Sequence, residues 1–237
     1  MRAGPRRAQA VPRHRQGLWI AFFGPDGVGK STVIERLPNN LAGAFSGFAH
    51  GHFRPRFGLR QAQAKPVTAP HAQTARGSLI SYGKLMYWLL DCWLGYGFKV
   101  RPALRRSRLV IFDRYVPDLL VDPVRYRLPV SAMKFASWLV TLAPQPDICV
   151  LLDAPAEIVQ PRKREISLAE TQRQRLAYLK FFEGSRKALV VDAGGPVEEV
   201  AREVAAMISS CKFRVSSFKP AASPNPVHGA GGVTHQS

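Results

Sequence analysis

Gly24-Pro-Asp-Gly-Val-Gly-Lys-Ser31 follows the apolar run Leu18-Trp-Ile-Ala-Phe-Phe23 without a gap. The eight residues complete the pattern Gly-x-x-x-x-Gly-Lys-[Ser/Thr]. Glycines at those spacings let a backbone curl until successive N–H groups point inward at phosphate oxygens, the lysine reaches the β- and γ-phosphates, and the hydroxyl ligates Mg²⁺. A strand-like run before the loop and a helical pattern after it, with Val33, Ile34 and Leu37 on one face before Pro38, supply the context that such a loop needs. The nucleotide-binding residues are therefore Gly24, Asp26, Gly27, Val28, Gly29, Lys30, Ser31 and Thr32, with ATP and Mg²⁺ as the expected cofactors.

Outward from the loop, strand-like and helix-like segments alternate. Strands are expected near 18–23, 47–52, 108–112, 147–152 and 188–192, and helices near 29–37, 77–100, 131–142, 155–164, 168–186 and 197–209. Leu109-Val-Ile-Phe112 and Ile148-Cys-Val-Leu-Leu152 are apolar without alternation, as strands covered by helices on both faces must be. The fold class is α/β with a parallel sheet. Ligands of such sheets sit at the carboxyl ends of the strands. The phosphate loop, the segment after Phe112 and a long loop over 53–76 all emerge there, and loops of that length are often functional.

Composition sets the limits of this domain. The chain has 237 residues and is 46% hydrophobic, enough for a core. Residues 1–17 carry five arginines and no acid, and residues 211–237 are rich in Ser, Pro, Gly and Ala, so a disordered basic arm and a disordered tail are expected around a domain at 18–210. Cys92, Cys149 and Cys211 show no metal-binding or disulfide spacing. No apolar run reaches the roughly 18 residues of a spanning helix, because Asp91 interrupts Leu85 to Phe98. A cytoplasmic protein is expected. Net charge is +18, and removing the basic residues of arm and tail leaves +10 for the domain. From Glu35 to Asp91 there is no acid, while Arg36, Arg54, Arg56, Arg60, Lys65, Arg76 and Lys84 lie between them. That stretch suits a groove for an anionic acceptor, and equally a patch touching nucleic acid or acidic lipid.

Two further clusters carry chemistry. Asp113-Arg114-Tyr115 stands at the end of an apolar strand, where a carboxylate can hold a water on Mg²⁺ and a guanidinium can grip phosphate; the plain alternative is a strand-end turn with a surface ion pair. Arg162-Lys163-Arg164 is either a lid that closes positive charge over a γ-phosphate or a solvated helix end. His50 and His52 share a strand face but lack an evident third metal ligand. Tyr87, Trp88, Trp93 and Tyr96 are expected to pack on the core face of a long helix.

With these motifs in place the chain resembles the thymidylate kinase family of P-loop nucleoside monophosphate kinases, over roughly Leu18 to Ile208. The loop matches the family's Gly-x-Asp-Gly-x-Gly-Lys-[Ser/Thr], Asp26 included. Val100-Arg-Pro-Ala-Leu104 before Leu109-Val-Ile-Phe-Asp-Arg-Tyr115, Arg173-Gln-Arg-Leu-Ala-Tyr178, and Val190-Val-Asp-Ala193 with Glu198-Glu-Val200 match its later portions. The resemblance implies a three-layer P-loop kinase fold with a five-stranded parallel sheet flanked by helices and a short lid. It implies transfer of the γ-phosphate of ATP to a small phosphorylated acceptor. Lys30, Asp113, Arg114, Arg162 and Arg164 become the expected catalytic residues, Ser31 and Asp113 the metal-holding ones, and Asp26, Arg54, Asp91 and Arg114 the acceptor-binding ones.

The acceptor side departs from the family. Its helix commonly reads Ala-Ala-Asp-Arg-Ala-Gln-His where this chain has Leu89-Leu-Asp-Cys-Trp-Leu-Gly95, and Cys92 cannot donate as that arginine does. Asp118-Leu-Leu-Val-Asp-Pro123 replaces the family's Ser-Ser-x-Ala-Tyr-Gln. The acceptor is accordingly dTMP or a diverged substrate such as a sugar phosphate. A different class of function is a nucleotide-dependent binding protein that engages nucleic acid or membrane through the basic face and hydrolyses ATP slowly. The expected partners are ATP and a small anionic phosphoacceptor, with weak nucleic-acid or anionic-membrane contact through the arm, and a homodimeric assembly.

Overall fold

Leu18–Phe23 forms the central strand, β1, and all six of its residues are buried. The computed structural model describes residues 17–53, 77–162 and 167–210, and within them four more strands join it. These are β2 (Phe48–His52), β3 (Leu109–Asp113), β4 (Ile148–Asp153) and β5 (Ala188–Asp192), in the order β2-β3-β1-β4-β5 with every pairing parallel. Eight α-helices connect them among the described residues: α1 (Lys30–Asn40), α2 (Ser78–Gly95), α3 (Arg101–Arg105), α4 (Asp118–Val121), α5 (Met133–Leu142), α6 (Ala156–Val159), α7 (Leu168–Phe182) and α8 (Val197–Ser210).

The period-two geometry of β1 sorts its side chains into two cores. Leu18, Ile20 and Phe22 pack with Val33 and Leu37 of α1 and Val204 and Ile208 of α8. Trp19, Ala21 and Phe23 pack with Leu85 and Trp88 of α2, Leu139 of α5, and Tyr178 and Phe182 of α7. Helices thus cover both faces, which gives the three layers of an α/β P-loop kinase fold. Each large apolar side chain buried this way contributes roughly 1.5–3 kcal/mol.

The five strands match expectation, and the helices differ from it where proline or a short element intervenes. The helix expected over 77–100 is α2 followed by a π-helical turn, Tyr96–Val100, that leads into α3. Pro102 near the start of α3 has no N–H to give to the preceding turn, and a wider turn absorbs the missing bond. The helix expected over 155–164 tightens at Gln160–Arg162 into a 3-10 turn containing Pro161. Conversely, α1 runs through Pro38 to Asn40, anchored by buried Leu37 and Leu41. Helix α7 stops at Phe182 ahead of Gly184, which takes φ +70°. The four-residue α4 was not expected. Of the aromatic group on α2, Trp88 is buried, whereas Tyr87 and Trp93 stand half exposed, so the core face of α2 is narrower than its composition suggested.

No described helix is long and apolar enough to cross a membrane. The basic arm, the tail, most of the 53–76 loop, Arg54 and Arg164 lie outside the described residues. Gly17, at the edge of the arm, donates to the Leu104 carbonyl at 2.9 Å.

Candidate active site

The phosphate loop turns on three glycines. Gly24, Gly27 and Gly29 have φ of 137°, 88° and 100°, a region that L side chains rarely adopt. At Gly24 space matters as well, since a Cβ there would lie 2.4 Å from the Leu152 carbonyl oxygen. Gly29 caps α1, whose unpaired N–H groups and dipole face the loop as an anion site. Lys30 opens that helix yet is only 6% exposed, and its Nζ donates to the carbonyls of Gly24 (2.7 Å) and Pro25 (2.8 Å). Burial first, and then the Arg114 charge, pull the ammonium down to about 7.

Beside the loop, β3 is in register with β1 so that Asp113 lies opposite Phe22 at the strand ends. Ser31 Oγ donates to Asp113 Oδ2 at 3.3 Å. The other carboxylate oxygen, Oδ1, is buried and has no hydrogen-bond partner among the described residues. A hydroxyl and a carboxylate placed together, with one oxygen unsatisfied, form a hard-oxygen donor set of the kind Mg²⁺ takes alongside phosphate and water.

Arg114 anchors a third group. Its backbone is left-handed (φ +68°), and it donates to the Phe22 carbonyl at 3.0 Å. Its guanidinium donates from Nη1 to Asp118 (2.6 Å) and Tyr178 (2.9 Å), and from Nη2 to Asp26 of the phosphate loop. Tyr178 in turn donates to Asp118 at 2.8 Å. The second oxygen of Asp26 accepts from Arg125 at 2.5 Å. Burial works against ionisation of Asp26, but Arg114, Lys30 and Arg125 outweigh it and hold the carboxyl well below the usual range. Burial likewise opposes the Arg114 charge, and Asp118, Tyr178 and Asp26 more than restore it. At the end of β4, Asp153 accepts twice from Arg175 of α7, at 2.7 and 2.9 Å.

The phosphate loop, Asp113, Arg114 and Arg125 line one cleft of about 680 Å³. Asp26 to Thr32 form its floor. His52, Asp113, Arg114 and Arg125 form the end on the β2–β3 side, and Ala193, Gly195, Pro196, Val197 and Val200 form the end beyond β5. The structure therefore brings together Asp26, Lys30, Ser31, Asp113 and Arg114. Arg162 is the last residue of the short turn Gln160–Arg162, and Asp91, buried on α2, is not among the residues that line this cleft. His50 and His52 are exposed on β2, and no group of three or more His, Cys, Asp or Glu among the described residues is placed to hold a metal by itself.

Arg125, which lines the cleft, and Asp118, Tyr178 and Arg175, which bond Arg114 or Asp153 without lining it, had no role assigned from the sequence. Tyr178 and Arg175 lie in the family-like segment Arg173-Gln-Arg-Leu-Ala-Tyr178, and Tyr178 also forms with Gln174 an i, i+4 polar pair that α7 buries. Arg125 had no such signal, since it belongs to no motif.

No protein-family model matches the chain. Individual proteins do. It is 31% identical to a thymidylate kinase of Leifsonia xyli subsp. xyli over 82% of this chain and 96% of that protein. It is 27% identical to a probable thymidylate kinase of Pyrobaculum aerophilum over 85% and 99% respectively. With a thymidylate kinase of Xanthomonas oryzae pv. oryzae it shares 30% identity over 81% and 83%. An all-parallel five-stranded sheet, a glycine-turned phosphate loop against Asp113 and Arg114, and near full-length similarity to these enzymes agree: the chain is a P-loop kinase and belongs to the thymidylate kinase family.

Proposed function

We propose that the protein transfers the γ-phosphate of ATP, with Mg²⁺, to a small phosphorylated acceptor. The observation that carries this reading is that one cleft holds a phosphate-loop lysine, the Ser31–Asp113 oxygen pair and the Asp26–Arg114–Arg125 cluster side by side. Ser31 and Asp113 would hold Mg²⁺, as the unsatisfied Asp113 Oδ1 supports. When bound, the metal supplies charge neutralisation on the transferring phosphoryl group. Lys30 exchanges the Gly24 and Pro25 carbonyls for phosphate oxygens and regains its full charge there. The N–H groups at the start of α1 bind the same phosphates. Arg114 fixes Asp26 and, through Asp118 and Tyr178, ties the loop to α4 and α7, so that the reacting groups meet in a preset geometry. The arginines of the 162–164 stretch complete the charge over the γ-phosphate.

The similar enzymes carry the name thymidylate kinase, which makes dTMP the first acceptor to test. The replacements at 89–95 and 118–123 favour a diverged acceptor beside it. ADP release from ATP and Mg²⁺ is to be followed with dTMP, other nucleoside monophosphates and sugar phosphates in turn. Turnover with one of them is expected, and no turnover with any would overturn the kinase reading. In the same assay Lys30→Ala is expected to lose at least about 100-fold in turnover while keeping the native circular dichroism spectrum.

A further inference from the structure

Arg125 is a cation in the cleft that neither the phosphate loop nor Asp113-Arg114-Tyr115 points to. We propose that Arg125 binds the phosphate group of the acceptor at the β2–β3 end of the cleft, with Asp26 as the carboxylate that holds its guanidinium in place. This inference rests on the kinase reading above.

Three observations separate Arg125 from its neighbour Arg114. The side chain of Arg114 is 5% exposed, and both its terminal nitrogens are engaged, with Asp118 and Tyr178 on one and Asp26 on the other. Three of its five N–H donors are held by buried partners, so it serves first to tie the phosphate loop to α4 and α7. Arg125 is 23% exposed at the cleft wall and spends one nitrogen, Nη1, on Asp26. Its Nε and Nη2 make no hydrogen bond among the described residues, although a guanidinium carries five donors in a planar fork that matches phosphate.

The backbone under Arg125 is fixed. Its own N–H bonds Asp122 Oδ1 at 3.3 Å, and Arg127 and Leu128 close back on Val124 and Pro123 at 2.9 and 3.0 Å. Tyr126 stacks on Phe53 with centroids 4.7 Å apart and meets Trp88 edge-on at 5.9 Å. A donor fork set on a rigid turn binds without first being ordered.

The ends of the cleft indicate which phosphate it meets. A nucleotide whose phosphates lie on the loop after β1 has small apolar residues, Ala193, Pro196, Val197 and Val200, on its β5 side. The charged β2–β3 end is left for the acceptor. There both oxygens of Asp26 are already taken by guanidinium groups, so what faces the cleft from this pair is N–H donors. Such a donor face of cationic N–H groups suits a phosphate oxyanion.

The test titrates inorganic phosphate into the full chain saturated with Mg²⁺ and a non-hydrolysable ATP analogue, which fills the donor site through its γ-position. Arg125→Ala is expected to weaken phosphate binding by about 10- to 100-fold, Arg125→Lys to lose less, and both to bind the analogue within about twofold of the wild type. Because lysine keeps the cation without the fork, it carries the test if the alanine variant does not fold. Phosphate binding that is absent in the wild type or unchanged in the variants overturns the proposal. So does a parallel loss of analogue and phosphate, which would make Arg125 a support for the loop. If the wild type fails to bind the analogue, the kinase reading falls, and the proposal with it.

Discussion

Lys30 is a buried side chain whose Nζ meets two carbonyl oxygens and feels the Arg114 charge. Burial first, and then the Arg114 charge, hold it at about 7, against an ordinary 10.5. Phosphate oxygens reverse the balance, because an adjacent opposite charge favours the protonated form. At pH 8 the free protein therefore has a mostly neutral Lys30, while the nucleotide complex has a charged one, and binding draws close to one proton from solvent. Calorimetric titration with Mg²⁺ and ATP at pH 8, in buffers of different ionisation heat, measures this uptake directly. Lys30→Arg, whose guanidinium stays charged in both states, should bind without it. Zero uptake in the wild type would mean that the free lysine already carries its proton.

Helix α4 is one turn long, yet it joins β3 to α7 at the site. Asp118, at its first position, is fully buried and accepts from Arg114 and Tyr178, while Gln174, one turn before Tyr178 on α7, donates to Asp122 just past the end of α4 at 3.1 Å. A four-residue helix has little propensity of its own, so this network rather than local sequence keeps it in place. Asp118→Asn removes the charge opposite buried Arg114 and leaves that cation with Asp26 as its one ion-pair partner among the described residues. The expected loss is about 3–5 kcal/mol, as for other buried pairs broken on one side. Urea unfolding should show it as a lower midpoint with an unchanged slope, because the exposed surface is the same. Tyr178→Phe, which removes one hydroxyl from the network, should cost about 1–3 kcal/mol. A loss for Asp118→Asn no larger than that of Tyr178→Phe would place little weight on the ion pair.

Across the whole molecule, what the sequence made legible was what is encoded locally. The sheet followed from unbroken apolar runs such as Leu18–Phe23, and the donor half of the site from eight consecutive residues. The Arg125–Asp26 and Arg114–Tyr178 pairs, spanning 99 and 64 residues, have no local pattern and exist only once β1, β3, α4 and α7 are packed. The same packing makes global stability sensitive to pH in the window where Lys30 titrates. Between about 7 and its ordinary 10.5, Lys30 is protonated in the unfolded chain and neutral in the fold, so the unfolded state binds more protons and stability rises with pH. His52, exposed on β2 yet lowered from 6.5 chiefly by desolvation, adds in the same sense only up to about pH 7.5. Cys149, which burial pushes up from 9.0 to about 12, and the buried Tyr115 and Tyr178 with the partly buried Tyr126, all raised above 10.0, act in the opposite sense only at higher pH. Urea midpoints of the unliganded protein should therefore climb from pH 7 to pH 9, by up to about 1.4 kcal/mol per pH unit, and level off or fall beyond. Lys30→Met should remove the climb, and saturating Mg²⁺ and ATP should flatten it by restoring the proton to Lys30. A wild-type profile that is flat from pH 7 to 9, or one that Lys30→Met reproduces, would assign the titration to another group.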